Sequence, residues 1–259
     1  MFKNFSQLKN GVTKLVEEKD EMYMNVDFLK CQKNETFTFN FNEEEAAFLL
    51  IQGEISISYN DKKISCSRKD CFKEEASCLH VSKNTKVTIT ALKDSEILIQ
   101  HKENQNSFEP VFYDASNIDI GYFGEGPLKD TTRRKVTTIL DYERTPYSKM
   151  VLGEIINLPG IWSSYPPHHH PQPEVYFYKF DKPQGFGTCF IGEDAYKIHD
   201  NSVALIEGGK THPQNAAPGY AMYYVWMIPH LENNPWTKTR IYDPEHEWVN
   251  SDKLDVFKF

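Results

Sequence analysis

Two histidines and a glutamate within one short stretch are the residues whose types and spacing point most clearly to chemistry. His168 and His170 stand two apart, and Glu174 follows four residues later. Residues i and i+2 of an extended chain share a face, so the two imidazoles can point to one side. Pro171 and Pro173 interrupt a regular strand ladder and predict a tight connection before the glutamate. Two neutral imidazoles and a carboxylate are a common ligand set for Zn²⁺, Mn²⁺ or Fe²⁺.

A fourth ligand is expected from a separate part of the chain. His212 follows the glycine pair Gly208-Gly209, which itself follows the strand-like run Ser202–Ile206. A single histidine is more often a surface or core residue than a ligand, and consecutive histidines can form a solvated tract. Here the tract lies between apolar strand patterns and has a carboxylate nearby. The sequence therefore predicts one divalent metal ion, with zinc expected and manganese or iron as alternatives. The expected ligands are His168, His170, Glu174 and His212.

Short strands are the elements that would position these ligands. Residues 36–41 alternate phenylalanine with polar side chains, which indicates a strand with one buried face. The segment Glu174–Phe180 has strand character directly after the histidines. Such segments recur along the chain without a long helical periodicity, and this favours an all-β sandwich or barrel.

A polar, glycine-rich stretch over residues 100–127 divides the strand pattern into two similar halves. We interpret this stretch as a linker between an N-terminal barrel over residues 1–110 and a C-terminal barrel over residues 111–259. The histidine–glutamate motif occurs in the second half, so we expect the metal in the C-terminal barrel alone. The tail over residues 234–259 is expected to be mostly irregular.

Composition argues against several other classes of function. The 259 residues carry a formal net charge of −8, which disfavours binding to nucleic acid or to a membrane surface. The sequence has no apolar N-terminal run and no apolar stretch of about 18 residues, so a cytoplasmic protein is expected. The five cysteines form no Cys-x-x-Cys pair and are interpreted as reduced thiols.

The order His-x-His, Glu174 and a later Gly-x-x-His resembles the two-part motif of the cupin barrels. Longer stretches of the second half are similar to the family of 5-deoxy-glucuronate isomerases, a bicupin family shared with the uronate ketol-isomerase of pectin breakdown. These stretches are Trp162-Ser-Ser-Tyr-Pro-Pro-His168, Pro183-Gln-Gly-Phe186, Ala216-Ala-Pro-Gly-Tyr220 and Asp243-Pro-Glu-His-Glu-Trp248. The first half resembles the family only faintly.

This resemblance implies two tandem cupin (jelly-roll) barrels and a divalent metal held by the four residues named above. It also implies an aldose–ketose isomerase of inositol catabolism, which converts 5-deoxy-glucuronate to 2-deoxy-5-keto-gluconate. The expected partner is then a small acidic sugar, and a homo-oligomer is compatible with the sequence.

The implied reaction needs groups that move protons near the metal. Transfer of a proton between neighbouring carbons passes through an enediolate, whose charge a Lewis-acidic metal stabilises. Glu154, on the strand before the motif, is a candidate base, and Tyr165, Tyr176 and Tyr178 are candidate proton donors. The ordinary alternatives are barrel filling for the tyrosines and a hydrogen bond to a ligand histidine for Glu154.

A uronate carboxylate also favours a guanidinium group, which matches it with two parallel hydrogen bonds. Arg133, Arg134 and Arg240 are candidates, and each is otherwise an ordinary surface charge. Two other functions stay open at this point. One is a metal-dependent dioxygenase, since Fe²⁺ in such a barrel also activates O₂. The other is a sugar-sensing cupin that binds without turnover.

Overall fold

Strands form nearly all the regular structure of the chain, for which a computed structural model describes residues 1–5, 7–251 and 254–257. The first ten strands are β1 (Phe2–Asn4), β2 (Gly11–Val16), β3 (Asn25–Cys31), β4 (Thr36–Asn40), β5 (Glu44–Tyr59), β6 (Lys62–Arg68), β7 (Cys78–Val81), β8 (Lys86–Ala91), β9 (Ser95–Glu103) and β10 (Val111–Tyr113). The next six are β11 (Asp119–Phe123), β12 (Arg134–Leu140), β13 (Met150–Asn157), β14 (Trp162–Ser163), β15 (His168–His169) and β16 (Glu174–Phe180). The last six are β17 (Phe186–Ile191), β18 (Asp194–His199), β19 (Ser202–Ile206), β20 (Gln214–Ala216), β21 (Met222–Pro229) and β22 (Ile241–Tyr242).

Short 3₁₀ segments lie at Glu18–Asp20, Pro127–Asp130 and Glu247–Asn250. No helix in the described part of the chain has the length and apolar character needed to cross a membrane. All five cysteines are free thiols, as expected from their spacing.

The first barrel is built around β5, a strand long enough to pair with four others. One stretch of the sheet runs in the order β10-β7-β5-β9-β3-β2, and β5 also pairs with β6 and with β8, which in turn pairs with β4. Aliphatic and aromatic side chains such as Phe48, Ile57 and Val87 fill its interior. Phe37, Phe39 and Phe41 pack against this core, on the face that their alternation predicts.

The second barrel consists of a seven-stranded sheet and two smaller sheets. Its strand orders are β1-β19-β16-β21-β13-β12-β11, then β14-β20-β17-β18, and finally β15-β22. Its interior combines aliphatic side chains with several tyrosines and tryptophans, among them Tyr176, Tyr178, Tyr224 and Trp226. The predicted all-β architecture is confirmed.

Strand pairing refines the predicted division at residue 110. Strand β10 still pairs with β7 of the first barrel, whereas β11 pairs with β12 of the second. The N-terminal strand β1 also joins the second barrel, where it pairs with β19. Strand β11 lies within the glycine-rich stretch that was predicted to be a linker. It is an edge strand with mostly exposed side chains, so its sequence shows little apolar alternation.

An apolar layer shared by the two barrels encloses a buried ion pair. The rings of Phe28 and Phe177 lie 5.0 Å apart in this layer. The guanidinium of Arg68 donates to both carboxylate oxygens of Glu154, at 2.6 and 2.9 Å, and the Tyr223 hydroxyl donates to the same carboxylate at 2.5 Å. Arg68 is 1% exposed and Glu154 is 4% exposed, so this ion pair joins the barrels away from bulk solvent.

Replacing one partner of this ion pair should destabilise the chain more than replacing both. Glu154→Leu leaves a buried guanidinium without its counter-charge, which should lower the free energy of unfolding by about 3–5 kcal/mol. The double variant Arg68→Met with Glu154→Leu should recover much of that loss, because no charge stays buried. Urea unfolding of the three proteins measures the difference. A double variant less stable than Glu154→Leu would contradict this account.

Candidate metal centre

Three of the four expected ligands meet at one point. His170 follows β15, Glu174 begins β16, and His212 lies in the connection between β19 and β20. Their ligand atoms all lie within 4.8 Å of one another, and all three side chains are buried. The Nε2 atoms of His170 and His212 are each 3.2 Å from Oε2 of Glu174. His168 is outside this closest group, but its ring centroid lies 5.1 Å from that of His212.

Close backbone contact between two loops brings the parts of the motif together. Gly208 lies against the carbonyl of Pro171, where a Cβ atom would overlap the carbonyl oxygen. The backbone N–H of Gly209 donates to the carbonyl of His170 at 2.8 Å. Glu174 is the register partner of Ile206, the last residue of the strand that leads into this loop. The glycine pair therefore lets the loop that carries His212 pack onto the loop that carries His170.

Each candidate histidine is oriented by a backbone carbonyl two residues away. Nδ1 of His168 donates to Pro166, Nδ1 of His170 to Gln172 and Nδ1 of His212 to Lys210. The corresponding distances are 2.8, 2.9 and 2.9 Å. A neutral imidazole whose proton is on Nδ1 has its lone pair on Nε2. The hydrogen bonds thus assign a metal-binding tautomer to all three rings.

The electrostatics of the site favour neutral forms of His168 and His212 beside an ionised Glu174. Burial, with the neighbouring His212, lowers the pKa of His168 to about 3. Burial also lowers the pKa of His212. For Glu174, burial acts to raise the pKa, but the neighbouring His170 and His212 act against it and the net direction is downward.

The Nδ1 hydrogen bonds of His170 and His212 leave the lone pairs of their Nε2 atoms facing those of the Glu174 carboxylate. With their protons on Nδ1, His170 and His212 direct acceptor atoms at the acceptor oxygen of Glu174. A cation placed among them converts this repulsion into coordination. The nitrogen-rich donor set with one carboxylate fits Zn²⁺, Mn²⁺ or Fe²⁺, so the residues present could hold the expected metal.

The candidate ligands line a cavity of about 430 Å³, a volume typical of small-molecule sites. Its walls also include side chains from β11, β12, β16 and β21, and from the loop before β15. Among them are Asp119, Arg134, Tyr165, Tyr176 and Trp226. A carboxylate, a guanidinium and phenol groups therefore share this space with the metal ligands.

One wall of the cavity comes from residues 231–242, which we call the C-terminal strap. Its side chains in the cavity are Trp236, Lys238, Arg240 and Tyr242. The strap is attached to the metal motif itself: Gln172 donates to the carbonyl of Asn234 at 2.8 Å, and Tyr242 is the register partner of His168. Sequence reasoning expected this tail to be mostly irregular and assigned it only Arg240. Its concentration of aromatic and basic residues was the available signal.

Of the four proton-transfer candidates, Tyr165 and Tyr176 line the cavity. Glu154 was wrong as the candidate base. Side chains alternate along β13, so Ile155 faces the cavity while Glu154 faces the other barrel and pairs with Arg68. Tyr178 was also misassigned, because it is fully buried in the barrel and its hydroxyl donates to Gln214 at 2.5 Å.

The candidate arginines divide in the same way. Arg134 and Arg240 line the cavity. Arg133 is exposed and lies 3.7 Å from the carboxylate of Glu125. Neighbouring residues on a strand alternate in direction, which separates Arg133 from Arg134 at the start of β12.

The chain is similar to known isomerases over almost its full length. A 5-deoxy-glucuronate isomerase of Bacillus subtilis (strain 168) is 24% identical over 267 residues, which cover 94% of this chain and 95% of the relative. This similarity confirms the expected class of enzyme, an aldose–ketose isomerase.

Solved structures show the same fold. An IolB-like protein from Salmonella typhimurium LT2 superposes with a TM-score of 0.88 at 18% identity, over 96% of this chain and 99% of that one. A cupin 2 conserved barrel domain protein from Leptotrichia buccalis superposes with a TM-score of 0.50 at 11% identity, over 86% and 91% of the two chains. The expected cupin fold is thereby confirmed. The KduI/IolB family model matches residues 2–249, so the chain belongs to the KduI/IolB family.

Proposed function

We propose that this protein is a metal-dependent isomerase that converts 5-deoxy-glucuronate to 2-deoxy-5-keto-gluconate in inositol catabolism. The observation that carries the proposal is the convergence of the Nε2 atoms of His170 and His212 on Glu174 inside a cavity. The similarity of the chain to 5-deoxy-glucuronate isomerases supports this choice of substrate.

The metal would be held by His170, Glu174 and His212, with His168 beside them as the fourth ligand. When bound, a divalent ion supplies Lewis-acid stabilisation of negative charge that develops on substrate oxygens. Three neutral imidazoles and one carboxylate leave one net positive charge on such a centre, which suits an anionic oxygen.

The protein's own groups must orient the sugar and move its proton. Tyr165 lies in the loop just before His168, and its half-buried ring contacts that of Trp162, with the centroids 5.9 Å apart. In this proposal the Tyr165 hydroxyl donates to a substrate oxygen during the transfer, which its position in the cavity wall supports. Asp119, which sequence analysis did not select, supplies a cavity carboxylate that can accept a proton.

The first prediction from this proposal concerns the ligand set. His212→Ala should remove most of the metal, with a loss of affinity beyond the roughly 10- to 100-fold caused by losing a partner outside the ligand shell. The barrel should stay folded, because strand pairing and aromatic packing close it. Metal content by mass spectrometry and circular dichroism measure the two effects.

His169→Ala is the matched control, since His169 lies between two ligands but does not line the cavity. It should keep its metal. Full metal content in His212→Ala would show that His212 is not a ligand.

The second prediction compares two tyrosines. Tyr165→Phe should lower kcat by roughly 10²- to 10⁴-fold if its hydroxyl takes part in proton transfer. Tyr178→Phe should leave kcat nearly unchanged and lower the free energy of unfolding by about 1–3 kcal/mol, because Gln214 loses its buried partner. Steady-state kinetics and urea unfolding of both variants test this. The reverse pattern would contradict the assignment.

The third prediction concerns the reaction itself. In deuterated water, NMR should show ketose formed from 5-deoxy-glucuronate with deuterium at the carbon that gains the proton. The reaction should stop with a chelator and return with a divalent ion. Binding of the sugar without turnover by fully loaded protein would instead favour the sugar-sensing alternative.

A further inference from the structure

Two guanidinium groups in the cavity have no acidic partner among the described residues. Arg134 begins β12, and Arg240 lies on the C-terminal strap, so two separate elements bring them to the same cavity. Arg134 donates to the carbonyl of Thr132 at 2.8 Å and lies 5.9 Å from the ring centroid of Phe123. Within the part of the chain that the structure describes, neither guanidinium forms an ion pair with a carboxylate.

The neighbouring cations are neutralised, which sets these two apart. Lys238 also lines the cavity, but its ammonium group lies 3.2 Å from Asp141 and 3.3 Å from Glu143. Arg133 is paired with Glu125 outside the cavity. In a protein with a net charge of −8, two guanidinium groups without a counter-charge thus lie beside the proposed metal centre.

The two guanidinium groups line the same cavity and lie close enough to affect each other. Burial and the charge of Arg240 both act to lower the pKa of Arg134. Two like charges that share a partly enclosed space repel each other, and an anion between them offsets this repulsion.

We infer that Arg134 and Arg240 together bind the carboxylate of the sugar acid and make the enzyme prefer uronates to neutral sugars. The inference rests on the proposed isomerase function for its substrate. The reacting carbons of a 5-deoxy-uronate are at one end of its six-carbon chain and the carboxylate is at the other. A guanidinium offers two parallel N–H donors to a carboxylate, and two guanidinium groups offset its charge in a cavity that also contains Asp119.

Strand pairing fixes the distance between this anion site and the metal site. Strand β22, which begins one residue after Arg240, pairs with β15, which contains His168. Strand β12 holds Arg134 through pairing with β13. The carboxylate site is therefore attached to the scaffold that holds the ligands, and it can select substrates by length as well as by charge.

The test compares an acidic substrate with a neutral one in Arg134→Gln, Arg240→Gln and the double variant. The substrates are 5-deoxy-glucuronate and 5-deoxy-glucose, which has a hydroxymethyl group in place of the carboxylate. Each single variant should lower kcat/KM for the uronate roughly 10- to 100-fold, the usual effect of losing a hydrogen bond to a charged group. The value for 5-deoxy-glucose should not fall. Arg133→Gln is the matched control and should behave as the unmodified protein.

Calorimetry with D-glucuronate and D-glucose separates this inference from the proposed function, because it needs no turnover. The unmodified protein should bind D-glucuronate more tightly than D-glucose, and the double variant should lose that preference with its metal content unchanged. If this holds while no isomerisation occurs, the anion site stands and the proposed function fails. Equal losses of kcat/KM for both substrates, or unchanged D-glucuronate binding in the double variant, would overturn the inference.

Discussion

The convergence of histidine lone pairs on one buried carboxylate is the constraint on which the site depends. Each imidazole is turned by a carbonyl only two residues away, so its orientation is set within its own loop. Long-range pairing then brings the loops together, because Glu174 and Ile206 are register partners and Gly208 lets the backbones touch. The resulting group of acceptor atoms is unfavourable without a cation. The strap, Tyr165 and Tyr176 line the same cavity as this group of atoms.

The sequence predicted those parts of the molecule in which short-range pattern and chemistry agree. Alternation along residues 36–41 identified a strand of the first barrel, and the His-x-His motif with Glu174 identified a candidate metal centre whose three closest members the structure brings together. His212 was identifiable because a glycine pair precedes it. In each case the signal lies within a few residues of the group that it predicts.

The parts that the sequence did not predict depend on contacts between distant segments. Glu154 was selected as a base because it is a carboxylate close to the motif in sequence. The direction of its side chain depends on which face of β13 its position occupies. The same alternation that turns Ile155 toward the cavity turns Glu154 toward Arg68 of the other barrel. The strap has little regular structure, so no periodicity marks it. Its role comes from attachment to the metal motif through Gln172 and β15.

Zinc-edge anomalous diffraction from crystals of protein loaded with one equivalent of Zn²⁺ tests the central claim most directly. The account predicts one anomalous peak per chain, about 2.0–2.1 Å from the Nε2 atoms of His170 and His212 and about 2.0–2.2 Å from an oxygen of Glu174. His168 should complete the shell through its own Nε2. A site without a peak, occupied by a water molecule or closed by a hydrogen bond between histidine and glutamate, would contradict the account.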